Sequence, residues 1–277
     1  MKIDAHQHFW HYTEADYGWI SAEQGVLQRD FLPEDLAHVL NQSKLEGCIA
    51  VQARQTLIET NWLLDLAQEY AFIKGVVGWI DLKSKNLTEQ LTDYKANAKL
   101  VGFRHVLQDE IDPNFMLEEA FIAGLKTIEA ENYTYDLLIF SHQLPQACEL
   151  AKQFTKLPIV IDHIAKPKIG NQQEFAAWQL GINTLAKHDN VYCKVSGMVT
   201  EADVNNWTQE DFTPYLTAVF DAFGPSRIMF GSDWPVCLLG GEYPQIKDIV
   251  SDFVNQYYPT HFDAVFGENA ARFYKIQ

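Results

Sequence analysis

The chain has 277 residues and carries 21 Lys and Arg against 37 Asp and Glu, a net charge of −16. A surface this acidic repels phosphate backbones and anionic membranes, so neither nucleic acid nor membrane is an expected partner. With 47% apolar and 21% charged residues, the composition is that of an ordinary soluble globular protein that can bury a core without staples. The cysteines Cys48, Cys148, Cys193 and Cys237 show no C-x-x-C spacing. They read as buried free thiols, and with no leader-like segment before the first strand a cytoplasmic location is expected.

Eight short apolar runs read as strands: Lys2–His8, Glu46–Ala53, Lys74–Asp81, Leu100–Leu107, Tyr135–Ser141, Pro158–His163, Val191–Ser196 and Arg227–Ser232. Their starts lie roughly 20 to 45 residues apart, the scale of βα units. Between the first two, Phe31-Leu32-Pro33-Glu34-Asp35-Leu36 places proline and two acids in a helix's first turn, where the dipole favours them. A helical stripe follows at Trp62–Ala67, and further helices are expected over Leu87–Ala98, Leu117–Ala130, Pro145–Phe154, Glu174–His188, Pro214–Phe223 and Gln245–Tyr257. No G-x-G-x-x-G follows an early strand, as an open dinucleotide-binding sheet would require. Chemistry-bearing residues instead end many different strands, which predicts a closed (β/α)8 barrel over residues 1–277 as one domain. The longest strand-to-helix connection, Phe9 to about Leu32, carries Trp10, His11, Tyr12, Tyr17 and Trp19. It reads either as a functional lid or as a plug on the barrel's top face.

The first strand ends in His6-Gln7-His8. Alternation along a strand turns both imidazoles to one face, where they could share a divalent ion or form a hydrogen-bonded pair in a polar pocket. The sixth run ends in Asp162-His163 and the eighth in Ser232-Asp233-Trp234-Pro235. Carboxylates at such apolar positions need a partner or a metal, although Asp233 could equally cap a helix and His163 bond a loop carbonyl. Gly102-Phe103-Arg104-His105 offers a guanidinium that could hold a substrate oxygen or pair with Asp109 or Glu110. Gln52 and Arg54, at the end of the second strand, could serve likewise. In the seventh strand Val191, Cys193 and Val195 suit the helix layer, which turns Lys194 inward, with Asp4 as its expected partner. Lys166, just past His163, is placed to reach a substrate oxygen.

The segments Ile3–Trp10, Phe31–Leu36, Val51–Ala53, Val101–Glu110, Asp162–Pro167, Lys194–Gly197 and Phe230–Pro235 resemble the amidohydrolase superfamily, in particular its amidohydrolase-related branch of sugar lactonases of the fuconolactonase and rhamnonolactonase type. The resemblance implies a metal-assisted barrel hydrolase in which His6, His8, His163 and Asp233 occupy ligand positions for one divalent ion, zinc or manganese. It also implies that part of the branch dispenses with metal. Arg104-His105 stands where two-metal members carry a bridging lysine or glutamate, which argues against a second ion. The expected reaction is opening of an aldonolactone such as a fucono- or rhamnono-lactone. Asp233 would serve as general base, with Arg104, His105 or the metal at the oxyanion. Trp19 and Trp234 would stack on the sugar, and Gln52, Arg54, His142 and Lys166 would bind its hydroxyls. The alternatives are a zinc-dependent decarboxylase of an aromatic or muconate-like acid and a barrel that binds without turnover.

Overall fold

The computed structural model describes residues 1–276. Eight parallel strands run in sequence order: β1 (Ile3–Gln7), β2 (Gly47–Val51), β3 (Ile73–Gly78), β4 (Leu100–Val106), β5 (Thr134–Leu138), β6 (Ile159–Ile161), β7 (Val191–Val195) and β8 (Ile228–Phe230). A helix follows each strand: α1 (Pro33–Gln42), α2 (Leu57–Glu69), α3 (Leu87–Tyr94), α4 (Glu119–Ala130), α5 (Leu144–Ala151), α6 (Gln172–Leu185), α7 (Gln209–Phe223) and α8 (Tyr243–Tyr257). The arrangement is a (β/α)8 barrel. Its seam closes where the Asp233 amide donates to His6 O at 2.8 Å, the His8 amide donates to Trp234 O at 2.7 Å, and Gln7 bridges Trp234 in parallel.

Local chemistry places the helix starts. Pro33 opens α1, and the Thr56 hydroxyl accepts from the Glu59 amide at the start of α2. Thr208 and Asp211 form a capping box that starts α7 five residues before the expected Pro214, which the helix tolerates inside its second turn. Strands β6 and β8 stop earlier than expected, because the chain turns into left-handed backbone at His163 (φ 54°) and Asp233 (φ 59°).

Side chains between sheet and helices form the larger core. A smaller one fills the barrel, with Ile3, Ala5, Ile49, Val51, Val77, Val160 and Met229 packed on Ala270, Phe273 and Tyr274 from the terminal segment. That segment contains α9 (Asn269–Phe273), which the sequence reading did not anticipate. All four cysteines are buried and unpaired, and no helix among the described residues is long and apolar enough to cross a membrane.

Candidate active site

Four ligand-type atoms meet at the C-terminal end of the strands. His8 Nε2 lies 3.2 Å from His6 Nε2 and 3.3 Å from Asp233 Oδ1. His6 Nε2 and His163 Nε2 each lie 3.8 Å from the same oxygen. The other ring nitrogens are committed elsewhere. His8 Nδ1 donates to Val51 O at 2.7 Å, His163 Nδ1 sits 2.9 Å from Ser196 Oγ, and His6 Nδ1 faces Asp162 Oδ1 at 3.2 Å. The Val51 carbonyl fixes the His8 tautomer with its Nε2 lone pair toward the carboxylate, and the Nε2 atoms of His6 and His163 face the same oxygen, an arrangement suited to a cation or shared proton among them. An ion bound at about 2.0–2.1 Å has tetrahedral ligand atoms about 3.3 Å apart, close to the observed spacings. The set therefore fits one divalent cation.

The electrostatics agree. Burial would raise the Asp233 carboxyl, but His163, His8 and His6 override it and hold the group well below the usual carboxylate range. Burial lowers His163 to about 4, only partly opposed by Asp233, and pushes His6 down against the pull of Asp162. Near neutral pH the site thus presents a carboxylate beside neutral His6 and His163, a donor set suited to a divalent metal.

Beneath His6 lies a second, fully buried charge cluster. Lys194 Nζ contacts Asp136 Oδ2 and lies 3.0 Å from Asp162 Oδ1. Tyr274 donates to Asp136 from below at 2.9 Å. Asp136, Asp162 and His6 are themselves close enough to hold an ion, but the Lys194 ammonium already supplies the cation there. Arg104 fills the β4 position. Its Nη1 lies 3.1 Å from Asp162 Oδ2 and 3.2 Å from His6 Nε2, while Nε and Nη2 donate to Gln52. A guanidinium so engaged cannot bridge two metals, and its one N–H outside the Asp162 and Gln52 contacts faces His6 Nε2 at the edge of the cavity.

The chain after β6 is strained. His163, Ile164, Ala165 and Lys166 have φ of 54°, 49°, 61° and 46°, and none is glycine. Such residues cost on the order of 1–3 kcal/mol each. The turn brings Lys166, three residues past His163, to the wall of the same cavity. Two glycines make room nearby. A Cβ on Gly197 would lie 2.5 Å from His163 Nδ1, and one on Gly231 would lie 2.6 Å from His6 Cβ.

Above the cluster opens a cavity of about 280 Å³, walled by Trp10, Trp19, Ala53, Val106, Leu138 and Val236, with Gln55, Arg104, Gln108, Asp109 and Lys166 as its polar groups beyond the cluster itself. The size suits a small polar molecule.

A family model described as amidohydrolase matches residues 3–276. The chain belongs to the amidohydrolase family. Within it, the L-fucono-1,5-lactonase of Burkholderia multivorans is 40% identical over the whole chain and 96% of its own length. The L-fucono-1,5-lactonase of Burkholderia ambifaria is 35% identical over the same shares. A Burkholderia multivorans amidohydrolase solved with bound zinc superimposes with a TM-score of 0.97, at 40% identity and complete coverage of both chains.

In this amidohydrolase, His6, His8, His163 and Asp233 converge as the sequence suggested, and Trp19 and Lys166 line the cavity. Arg104 reaches the site, but as a brace for His6. His105 does not reach it: the neighbour of an inward residue on a strand faces outward, where His105 bonds Glu110 at 2.7 Å and stacks on Phe115. Trp234 is also turned away, with its ring edge-on to Phe31 and Phe9, because Asp233 takes a left-handed backbone. Gln52 is buried under Arg104, and Arg54 pairs with Asp16 at 2.6 Å, tying the aromatic loop to β2. His142 is exposed and stacks on Phe140 outside the cavity.

The expected Lys194–Asp4 pair does not form. The β1 register shifts between Asp4 and Gln7, which turns Asp4 to the helix side while His6 faces inward. There Asp4 accepts from the Ser232 amide and hydroxyl and from Tyr243, locking β1 to β8. The aromatic loop is both plug and wall: Trp10 and Tyr17 are buried, while Trp19 faces the cavity. Sequence reasoning passed over Asp136, a carboxylate inside a buried run that had to have a partner, and it marked Asp162 as needing one without finding Lys194 and Arg104. Gln55 lies on the loop after β2, and Gln108 and Asp109 lie in the 3-10 turn after β4, where no buried apolar run marks a polar residue as conspicuous.

Proposed function

We propose that the chain hydrolyses a sugar lactone of the fucono-1,5-lactone type to its aldonic acid. The observation that carries this reading is the convergence of Asp233 with three histidines at the floor of a small cavity that has an aromatic wall, two amides and a lysine. A divalent ion, zinc in our reading, would be held by His6, His8, His163 and Asp233. It would polarise the lactone carbonyl and lower the pKa of a water.

The protein's own groups do the rest. Asp233 accepts the proton of the attacking water as the new C–O bond forms at the carbonyl carbon. It then passes that proton to the ring oxygen as the ester bond breaks, leaving an aldonate and one released proton. Lys166 is the cavity's cation without a close carboxylate, its nearest being Glu201 at 3.9 Å, and it donates to the carbonyl oxygen or a neighbouring hydroxyl. Arg104, paired with Asp162 and bonded to Gln52, holds Asp162 beside His6. Trp19, backed by the buried Trp10, covers the sugar's apolar face, and Gln55, Gln108 and Asp109 bind its hydroxyls.

Whole-chain relatives at 35% and 40% identity carry lactonase names, which favours this reading over decarboxylation. The test is an indicator assay for proton release from aldonolactones. The wild type is expected to turn over a six-carbon 1,5-lactone, and Asp233→Asn to lose roughly 10²–10⁴-fold in kcat. Retained turnover in Asp233→Asn, or carbon dioxide release from an aromatic acid without lactone opening, would refute the assignment.

A further inference from the structure

We propose that Trp178 and Tyr215, which pack together between α6 and α7 outside the barrel, are positioning residues for Lys166. The inference rests on the reading that Lys166 touches substrate.

The loop from His163 to Asn171 leaves β6 through four consecutive left-handed residues, a backbone that its own sequence disfavours. Something outside the loop must hold it. Trp178 Nε1 donates to Ile164 O at 2.7 Å, in the middle of the strained run, and both residues are fully buried. On the far side of Lys166, the Tyr215 hydroxyl donates to Lys168 O at 3.2 Å and accepts from the Gly170 amide at 3.1 Å. The two rings are 5.2 Å apart, and Phe175 packs on both at 5.4 and 5.1 Å. One rigid aromatic cluster therefore grips the loop on either side of Lys166, and no member of it lines the cavity. A loop relaxed to ordinary backbone would carry Lys166 away from the histidine cluster, and displacement of about 1 Å at such a site is enough to cost up to 10²-fold in rate.

The experiment is a pair of double-mutant cycles, Trp178→Phe and Tyr215→Phe each combined with Lys166→Met, with kcat/KM measured on an aldono-1,5-lactone. Tyr215→Phe removes a single oxygen and keeps the cycle informative if Trp178→Phe folds poorly. Each single substitution is expected to lower kcat/KM roughly tenfold, and to cost less than about twofold once Lys166 is already methionine. Hydrogen exchange should quicken at amides 164–170 in both variants while the strands stay protected. Equal factors in the two backgrounds, or unchanged rates and exchange, would overturn the positioning role. A silent Lys166→Met would instead overturn the role given to Lys166 itself, and this inference with it.

Discussion

Replacing Asp162 by asparagine changes one oxygen into a nitrogen beneath the site and removes one negative charge. In the wild type Asp162 Oδ1 lies 3.0 Å from Lys194 Nζ and 3.2 Å from His6 Nδ1, and Oδ2 lies 3.1 Å from Arg104 Nη1. All of these groups are buried, so two cations are balanced by Asp136 and Asp162. An asparagine in either orientation sets an N–H₂ donor against another donor and leaves Arg104 without a counter-ion. Breaking a buried pair in this way costs about 3–5 kcal/mol. Burial pushes Asp136 up to about 6 despite Lys194, with Asp162 adding to the rise. Neutralising Asp162 relieves that repulsion of Asp136, which places the expectation at about 3 kcal/mol, the low end of the range. For a chain of this size that is a fall in Tm of roughly 6 °C.

The same change removes the carboxylate that orients His6, so zinc affinity should fall about 10- to 100-fold. The sign of the pH dependence follows from the direction of the shift. Burial disfavours the Asp162 charge, but Lys194, His6 and Arg104 win and hold the carboxyl well below its ordinary value. Its contribution is thus fully present above the unfolded value and is lost only as pH falls through the depressed one. The gap in Tm between wild type and Asp162→Asn should stay constant from pH 7 to pH 8, above the titration of Asp136. Differential scanning calorimetry and competitive zinc titration check both parts. A Tm within about 2 °C of wild type together with unchanged zinc affinity would show that Asp162 neither balances the cluster nor orients His6.

Burial raises the Glu59 carboxyl from 4.5 to about 7, against the backbone amides of Arg54 and Ala53 that it accepts. A raised carboxyl binds its extra proton only in the folded state, so this group's contribution is lost as pH rises from about 4.5 to 7, by about 3 kcal/mol. Glu59→Gln keeps the acceptor and should flatten that slope, and melts of the two proteins that remain parallel between pH 4.5 and pH 8 would count against it. Gly197 has φ of 59°, and a Cβ there meets His163. Gly197→Ala should therefore destabilise by about 1–2 kcal/mol from backbone strain alone and weaken zinc binding at least tenfold, measured by titration. Wild-type affinity in that variant would mean that His163 is not held against Gly197.

The strand-end histidines and Asp233 could be found in the sequence because a parallel barrel buries its strands almost completely. A polar residue that closes an apolar run is then conspicuous. Neighbouring candidates were harder to separate. Arg104 and His105 are adjacent, and alternation admits only one of them to the interior, but nothing local says which. Parity assigned Lys194 correctly to the inside yet chose Asp4 as its partner, because a register shift in β1 leaves no mark in the composition of the strand. Trp234 adjoins the key carboxylate and points away from it for a similar reason, the backbone having turned left-handed one residue before.

The sequence alone determined the eightfold alternation, the face on which chemistry gathers, and four of the groups gathered there, since hydrophobic periodicity and buried polarity are local properties. The tertiary structure decided which charges neutralise one another, which residues wall the cavity, and that Lys166 reaches it through a strained turn held from outside. Those depend on register, backbone handedness and contacts between segments far apart in the chain, which no stretch of residues encodes by itself.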